Sequence, residues 1–325
     1  MKAIVYHTYG SPEVLRLQEI PKPIPKDNEV LVRVVAVSVN SWDWDLLRGE
    51  PIFIRMWGLF KPRYHILGSD IAGVVESVGP KVKKLKSGDE VFGDLSACGW
   101  GGFAEYVSAP EDSLAMKPAN MTFEQAASIP QAGVLAYQGL FDYGNIKAGE
   151  KVLINGAGGG VGTFAIQIAK SIGAQITGVD SHDKLEMLKE LGADYVLDYK
   201  KENFTKTGDQ YDLIIDNVAN RSLSDYKRAL NPGGIFVMVG GSTSTILKAM
   251  IFSKLSSAVD NRKLKILAHI PNKDLDSLTE LYDSGAYQPI LEKTYSLSET
   301  PEAMQLVGGG KAIGKVVISV GKKSR

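Results

Sequence analysis

Between residues 151 and 180 the chain reads KVLIN, GAGGGVG, TFAIQIAKSIGA and QITGVD. A short apolar run, a glycine-rich turn, a helical stretch over residues 163–172 and a second apolar run leave the backbone few options. Two strands joined through a helix run parallel, because the helical crossover returns the chain to the same end of the sheet. The rhythm then continues. Further strands are expected at residues 195–197, 213–215, 235–239 and 264–268, with helical stretches at 184–191 and 222–230 between them. Gly192 follows the first of those helices, where a left-handed cap costs least. This alternation predicts an α/β fold, a doubly wound parallel sheet covered by helices on both faces.

The turn itself carries chemistry. Ala157-x-Gly159-x-x-Gly162 follows an expected strand and opens an expected helix, with Gly158, Gly160 and Val161 completing it. In a Rossmann fingerprint the middle glycine admits a pyrophosphate and the last lets helix and strand pack closely. The N-terminus of the helix then faces the anion with unpaired N–H groups. Outside that context the same residues are a flexible turn. Asp180 ends the next strand 18 positions after Gly162, close to the spacing of about 20 for an acid that accepts hydrogen bonds from an adenosine ribose. A carboxylate there repels a 2′-phosphate and favours NADH, whereas Ser181, His182 and Lys184 beside it can hold the phosphate of NADPH. Asp180 can equally cap the next helix. Tyr199 stands where it can stack or hydrogen-bond at the adenosine end, or simply pack. Gly240-Gly241-Ser242 ends a strand at the carboxyl edge, where backbone groups line a nicotinamide pocket, and Asn217 ends an earlier strand in the same crevice.

The first 120 residues differ in kind. Short β-type runs at 3–6, 14–19, 29–37, 73–78, 90–93 and 104–107 are separated by Pro and Gly, predicting a compact all-β region. Thr122 and Gln125 form a capping-box pattern that starts a helix. After Pro271 come a helix over 275–282, a strand near 292–295, a helix opened by Thr300 as N-cap with Pro301 at its first position, and the closing strand GKVVISV. This tail is expected to fold back on the β region, giving one domain of 1–122 with 272–325 and another of 123–271.

Composition excludes several partners. The chain has 325 residues with 37 basic and 37 acidic side chains, and no cationic run fit for nucleic acid. Cys98 is its one cysteine, so no internal disulfide forms. Residues 1–5 enter a strand pattern, and no apolar run reaches the roughly 20 residues of a spanning helix. A cytoplasmic address without an integral membrane segment is expected. His7, His65, His182 and His269 show no ligand spacing.

Several segments together carry a family resemblance: VSVNSWDWDLLRG, ILGSDIAGVVESVG, SGDEVFG, GGFAEYV, VLINGAGGGVGTFAIQIAKSIGA and the terminal GKVVI. With them the chain resembles the medium-chain dehydrogenase/reductase superfamily in its zinc-independent quinone oxidoreductase branch. The resemblance implies a GroES-like β-barrel catalytic domain, a Rossmann domain, a nicotinamide cofactor in the cleft between them and a homodimer. The family default for that cofactor is NADPH. Zinc-using relatives need a Cys, a His and a second Cys or acid. Here Asn40, Ser69 and Asp70 stand in those places, so no zinc is expected. Without a Lewis acid, hydride transfer to a quinone or an α,β-unsaturated carbonyl is easier than oxidation of an alcohol.

By the same resemblance Asn40 lies near the nicotinamide ribose and the acceptor carbonyl, with Asp43 orienting it. Read as local structure alone, Asn40 is a turn residue and Asp43 a helix N-terminal acid. Lys315 of GKVVI reaches a cofactor phosphate or is a solvated charge. The proton comes from Tyr64 or from solvent. Trp42, Trp44, Trp57 and Trp100 either wall a flat substrate or fill the β core, and residues 51–64 form a lid or pocket edge. Leu135 replaces a Thr that relatives often turn toward the cofactor. Asp180 and Asp183 stand where NADPH-preferring relatives carry neutral and basic residues. Two rival functions fit the same residues: a metal-free alcohol dehydrogenase, and a cofactor-binding structural protein without turnover.

Overall fold

Glu29–Val39 places valine at almost every second position, with Ser, Ala and Arg between. Branched side chains fit a pleated, buried surface, and this run becomes the longest strand of the computed structural model. The structure describes residues 1–241, 245 and 261–320, the side chains of Phe53 and Trp57 excepted. Ser242 and the side chain of Trp57 therefore lie outside the described residues.

In chain order the strands are β1 (Lys2–Val5), β2 (Arg16–Glu19), β3 (Glu29–Val39), β4 (Asp70–Val78), β5 (Glu90–Asp94), β6 (Tyr106–Pro110), β7 (Ala115–Met116), β8 (Lys151–Asn155), β9 (Gln175–Asp180), β10 (Tyr195–Asp198), β11 (Tyr211–Asp216), β12 (Leu230–Met238), β13 (Lys263–Ile266), β14 (Leu291–Ser296) and β15 (Lys315–Ser319). The helices are α1 (Ser41–Arg48), α2 (Phe123–Ser128), α3 (Pro130–Gln138), α4 (Gly160–Ile172), α5 (Leu185–Glu190), α6 (Leu223–Ala229), α7 (Leu275–Asp283) and α8 (Thr300–Gly308).

The chain packs as two units, Met1–Ala132 with Pro271–Asp276 and Leu291–Arg325, and Gly133–Ile270 with Ser277–Ile290. These boundaries differ from those expected. Residues 123–132 join the β unit because α2 packs on β3 and β4 and the Gln131 N–H donates to Asp70 Oδ2. Residues 277–290 join the other unit, where Tyr287 meets the Phe164 ring of α4 edge-on at 5.2 Å.

In the first unit a seven-stranded sheet runs β14-β15-β3-β4-β5-β7, with β6 also paired to β3. Strand β3 is long enough for its first half to pair with β6 and its second half with β15, while β4 takes the opposite edge. Val32, Val34, Val37, Ile71, Val91, Phe103 and Ile318 fill the core beneath it. In the second unit six strands run β10-β9-β8-β11-β12-β13, all parallel. That is the dinucleotide-binding order, and it reverses between β8 and β11. Both the glycine turn after β8 and Asn217 after β11 flank this switch point.

Most local signals are realised. Thr122 and Gln125 close the expected capping box on α2, and Gly192 takes φ +108° beyond α5. Thr300 is the exception. It lies inside α8 with Glu299 as N-cap, because Ser296 and Glu299 close their own capping box one turn earlier.

Candidate functional site

The glycine turn is held by three contacts that sequence alone does not show. Val179 O accepts the N–H groups of Gly156 and Ala157, and Asp180 Oδ2 accepts that of Gly158 at 2.7 Å. Asp180 Oδ1 accepts the Ser181 N–H at 2.8 Å, and the buried Lys184 ammonium lies 3.8 Å away. Asp180 is therefore a brace of the turn, while Ser181 takes the capping position of the helix that follows. A Cβ on Gly162 would meet Gly156 O at 2.4 Å and Ala157 O at 2.5 Å, so only glycine fits there. A Cβ on Gly159 would meet nothing closer than 3.6 Å.

The first intrahelical bond of α4 runs from Thr163 N to Gly159 O. The N–H groups of Gly160, Val161 and Gly162 precede it and form an anion cradle. Across the switch point, Asn217 Nδ2 donates to Asn155 O at 3.0 Å and its Oδ1 is buried without a partner. Gly240 and Gly241 let β12 approach β11, since added Cβ atoms would strike Asn217 O at 2.4 Å and Ala219 O at 2.7 Å. Tyr199 is half-exposed, and its N–H donates to Asp180 O. The structure thus gathers Ala157, Gly158, Gly159, Gly160, Val161, Gly162, Asp180, Ser181, Lys184 and Tyr199 about one turn, with Asn217, Gly240 and Gly241 on the adjoining strand ends.

A second cluster lies in the β unit. Asn40 caps α1, and its own N–H donates to Asp43 Oδ2 at 2.9 Å. The other Asp43 oxygen accepts the Gly68 N–H, also at 2.9 Å. Asp43 is fully buried, and burial pushes its carboxyl up to about 7 against the pull of those two N–H groups. Asn40 Nδ2 donates to Ser69 Oγ at 3.3 Å, and Ser69 Oγ to Asp70 Oδ1 at 3.0 Å. Asp70 Oδ2 also accepts from Ser38 and from the Gln131 N–H. Burial raises Asp70 and Asp94 as well.

Lys315 corrects the sequence expectation. It is not a solvated charge. Its side chain is 3 % exposed and 3.9 Å from Asp70, and its ammonium donates to Asn40 Oδ1 at 2.5 Å. Burial lowers its pKa while the surrounding carboxylates oppose the shift. Among the described residues no group of three or more His, Cys, Asp or Glu is placed to hold a metal ion.

The tryptophans divide. Trp42 and Trp100 stack at 6.4 Å, and Tyr64 leans on Trp100 at 4.8 Å. Trp100 takes φ +60°, an outlier for so bulky a residue, and its buried Nε1 has no partner. Trp100 is itself part of the buried core, and Trp44 packs against that core from its edge, tight enough on α8 that a Cβ at Gly308 would strike its ring. In the expected lid, Ile52, Met56, Leu59 and Phe60 are exposed.

Comparison with known proteins gives three family matches along the chain. An alcohol dehydrogenase GroES-like domain matches residues 26–119. A zinc-binding dehydrogenase domain matches residues 191–318, and the C-terminal domain of alanine dehydrogenase/PNT matches residues 140–220. The tomato (Solanum lycopersicum) 2-methylene-furan-3-one reductase is 34 % identical over 98 % of this chain and 79 % of its own length. The Arabidopsis thaliana chloroplastic NADPH-dependent alkenal/one oxidoreductase is 32 % identical over the same shares. The quinone oxidoreductase of Coxiella burnetii superposes with a TM-score of 0.88 at 31 % identity, over 99 % of both chains. This chain belongs to the quinone oxidoreductase branch of the medium-chain dehydrogenase/reductase superfamily.

As a quinone oxidoreductase family member it pairs a GroES-like unit with a Rossmann-like unit, as the motifs imply. What those motifs leave out is the wiring of the GroES-like cluster. Asn40 and Lys315 are 275 positions apart, and no local pattern joins them. The orphan Trp100 N–H also has no sequence signal.

Proposed function

We propose that this chain reduces quinones or α,β-unsaturated carbonyls with a reduced nicotinamide dinucleotide and without a metal ion. The carrying observation is the Asn40 carboxamide, fixed in a buried cluster with a lysine ammonium on its oxygen. The turn residues fit a dinucleotide: the space above Gly159 takes a group that a side chain would block, and the free N–H groups of Gly160, Val161 and Gly162 match a pyrophosphate. Bound there, the cofactor supplies a hydride from its nicotinamide ring.

The protein's own residues do the rest. Asp180 accepts ribose hydroxyls and leans the choice toward NADH. Lys184 beside it is what admits NADPH, the cofactor in the Arabidopsis relative's name. Asn40 donates an amide N–H to the acceptor oxygen as charge grows there, the function of an oxyanion hole. The Trp42–Trp100 stack supplies a flat apolar wall. Metal-free chemistry is supported by the donor set. A neutral amide and a hydroxyl are poor metal ligands, and the ammonium touching Asn40 repels a cation. The same reading carries a cytoplasmic homodimer, the address supported by the single cysteine and the dimer by the family resemblance. No helix among the described residues is long and apolar enough to cross a membrane.

The test is oxidation of NADH and NADPH by a quinone and by an enone, beside oxidation of simple alcohols, with and without a chelator. Turnover with the electron-poor acceptors, insensitive to chelation, is expected. Tight cofactor binding with no turnover, or activity lost to the chelator, overturns the proposal.

A further inference from the structure

We propose that Lys315 is a positioning residue that sets the polarity of the Asn40 carboxamide, holding Oδ1 so that Nδ2 is the atom offered to the substrate. The inference rests on the reductase function proposed above and adds a residue to it. Sheet register makes the pair: β15 runs antiparallel to β3 with Val316 opposite Val39, so Lys315 and Asn40 face each other at the next step. A carboxamide presents an acceptor on one side and donors on the other, and half a turn about its last bond exchanges them. A lysine ammonium has donors only, so whichever amide atom meets it must be the oxygen.

The remaining contacts agree with that choice and close a ring. Lys315 donates to Asn40 Oδ1, Asn40 Nδ2 donates to Ser69 Oγ, and Ser69 Oγ donates to Asp70 Oδ1. Asp70 Oδ2 faces the ammonium again at 3.9 Å. A flipped amide would set donors against the ammonium and force Ser69 to give up Asp70. One Nδ2 hydrogen goes to Ser69, and the amide also acts on Asp70; under the proposed function an acceptor oxygen takes the second hydrogen in place of that carboxylate. The ammonium also draws electrons through the amide, strengthening that donor. A buried charge without partners is costly, and Asp70, Asp43 and Asp94 around Lys315 supply its counter-charge.

The experiment compares Lys315→Met, Lys315→Gln and Asn40→Ala, alone and combined. With a quinone acceptor, Lys315→Met is expected to lower kcat about 100-fold, the scale of one lost oxyanion donor, with the dissociation constant for NADH within about twofold of wild type. Added to Asn40→Ala it should cost nothing more, because the two act as one unit. Lys315→Gln keeps a neutral donor and should turn over faster than the methionine variant; it carries the same cycle if that variant does not fold. The second readout needs neither cofactor nor turnover. In the cofactor-free protein the Asn40 side-chain amide NMR signals should shift in Lys315→Met and stay in place in Val30→Ala, a packing change in the core at the opposite end of β3. Wild-type kcat in Lys315→Met, losses that multiply in the double variant, or unmoved Asn40 signals overturn the inference. A weakened NADH affinity at unchanged kcat also overturns it, in favour of phosphate binding. If the wild-type chain reduces no quinone or enone, the proposed function falls and the amide signals alone decide Lys315.

Discussion

Asp180 accepts the Gly158 N–H at 2.7 Å, so the acid that ends β9 also braces the turn that opens α4. Its charge is shared between that turn and Lys184 at 3.8 Å. Asp180→Ser removes the carboxylate that repels a 2′-phosphate while keeping Lys184 beside it, and is expected to move the NADPH-to-NADH ratio of kcat/KM upward by about tenfold or more, the scale of one charged contact. Steady-state kinetics with both cofactors measure it. An unchanged ratio removes Asp180 from cofactor choice.

Two glycines of the same turn separate folding from binding. In Gly162→Ala the new methyl meets backbone oxygens at 2.4 and 2.5 Å, so both thermal stability and cofactor affinity should fall, with a cost of about 1–3 kcal/mol for overpacking. In Gly159→Ala the nearest atom is 3.6 Å away. The protein should melt as wild type does, and only dinucleotide affinity should drop. Differential scanning fluorimetry with and without NADH reads both effects.

The parallel sheet was legible because each strand–turn–helix unit satisfies itself locally: VLIN, its glycines and the apolar face of α4 need no distant partner to be recognised. The same holds for the Thr122 capping box. Asp43 and Lys315 show where that legibility stops. Asp43 looked like an acid in a first helical turn, and it is one, but its second oxygen serves the Gly68 N–H 25 positions away. Lys315 reads in sequence as a phosphate ligand or a solvated cation, because lysine is almost never buried without partners. Its partners come from the N-cap of α1, just past β3, and from β4, and only the sheet register brings them to it.

The buried carboxyl of Asp43 gives stability a pH dependence. Its neighbours are Asp70, Lys315 and Tyr6, with Asp94 on β5 facing the same lysine. The folded protein holds the Asp43 proton up to about 7, whereas the unfolded chain releases it from 3.8. Between those values the folded state binds more protons, so the contribution of this group to stability falls as pH rises and levels off above about 7. Asp43→Asn should reduce that slope in urea titrations at pH 5 and 8, with Asp70 and Asp94, whose carboxyls burial also raises, carrying the remainder. It should also cost about 1–3 kcal/mol, because an amide cannot accept from both the Asn40 and Gly68 N–H groups. A slope that the substitution leaves unreduced places the proton on another carboxyl of the cluster.

Trp100 offers a way to separate stacking from hydrogen bonding. Its Nε1 is buried without a partner, so Trp100→Phe keeps a ring against Trp42 and removes a stranded donor. Thermal stability should hold or rise, and KM for a quinone should stay within about twofold. Trp100→Ala removes the wall and should raise that KM about tenfold, within the range of an aromatic contact. Equal KM values for the two variants would take Trp100 out of substrate binding.

Strand β15 carries Lys315 into a slot beside β3 that stays open until the end of the described chain has been made. On the ribosome, Asn40 and Asp70 emerge early, and the ammonium that orients one and neutralises the other arrives 275 residues later. The nascent β unit must therefore wait with a partly exposed acidic notch. The cluster around Asn40 is completed only once β15 has been made, and a chain clipped before that strand would keep the parallel sheet and its glycine turn while lacking the lysine proposed to orient the Asn40 amide.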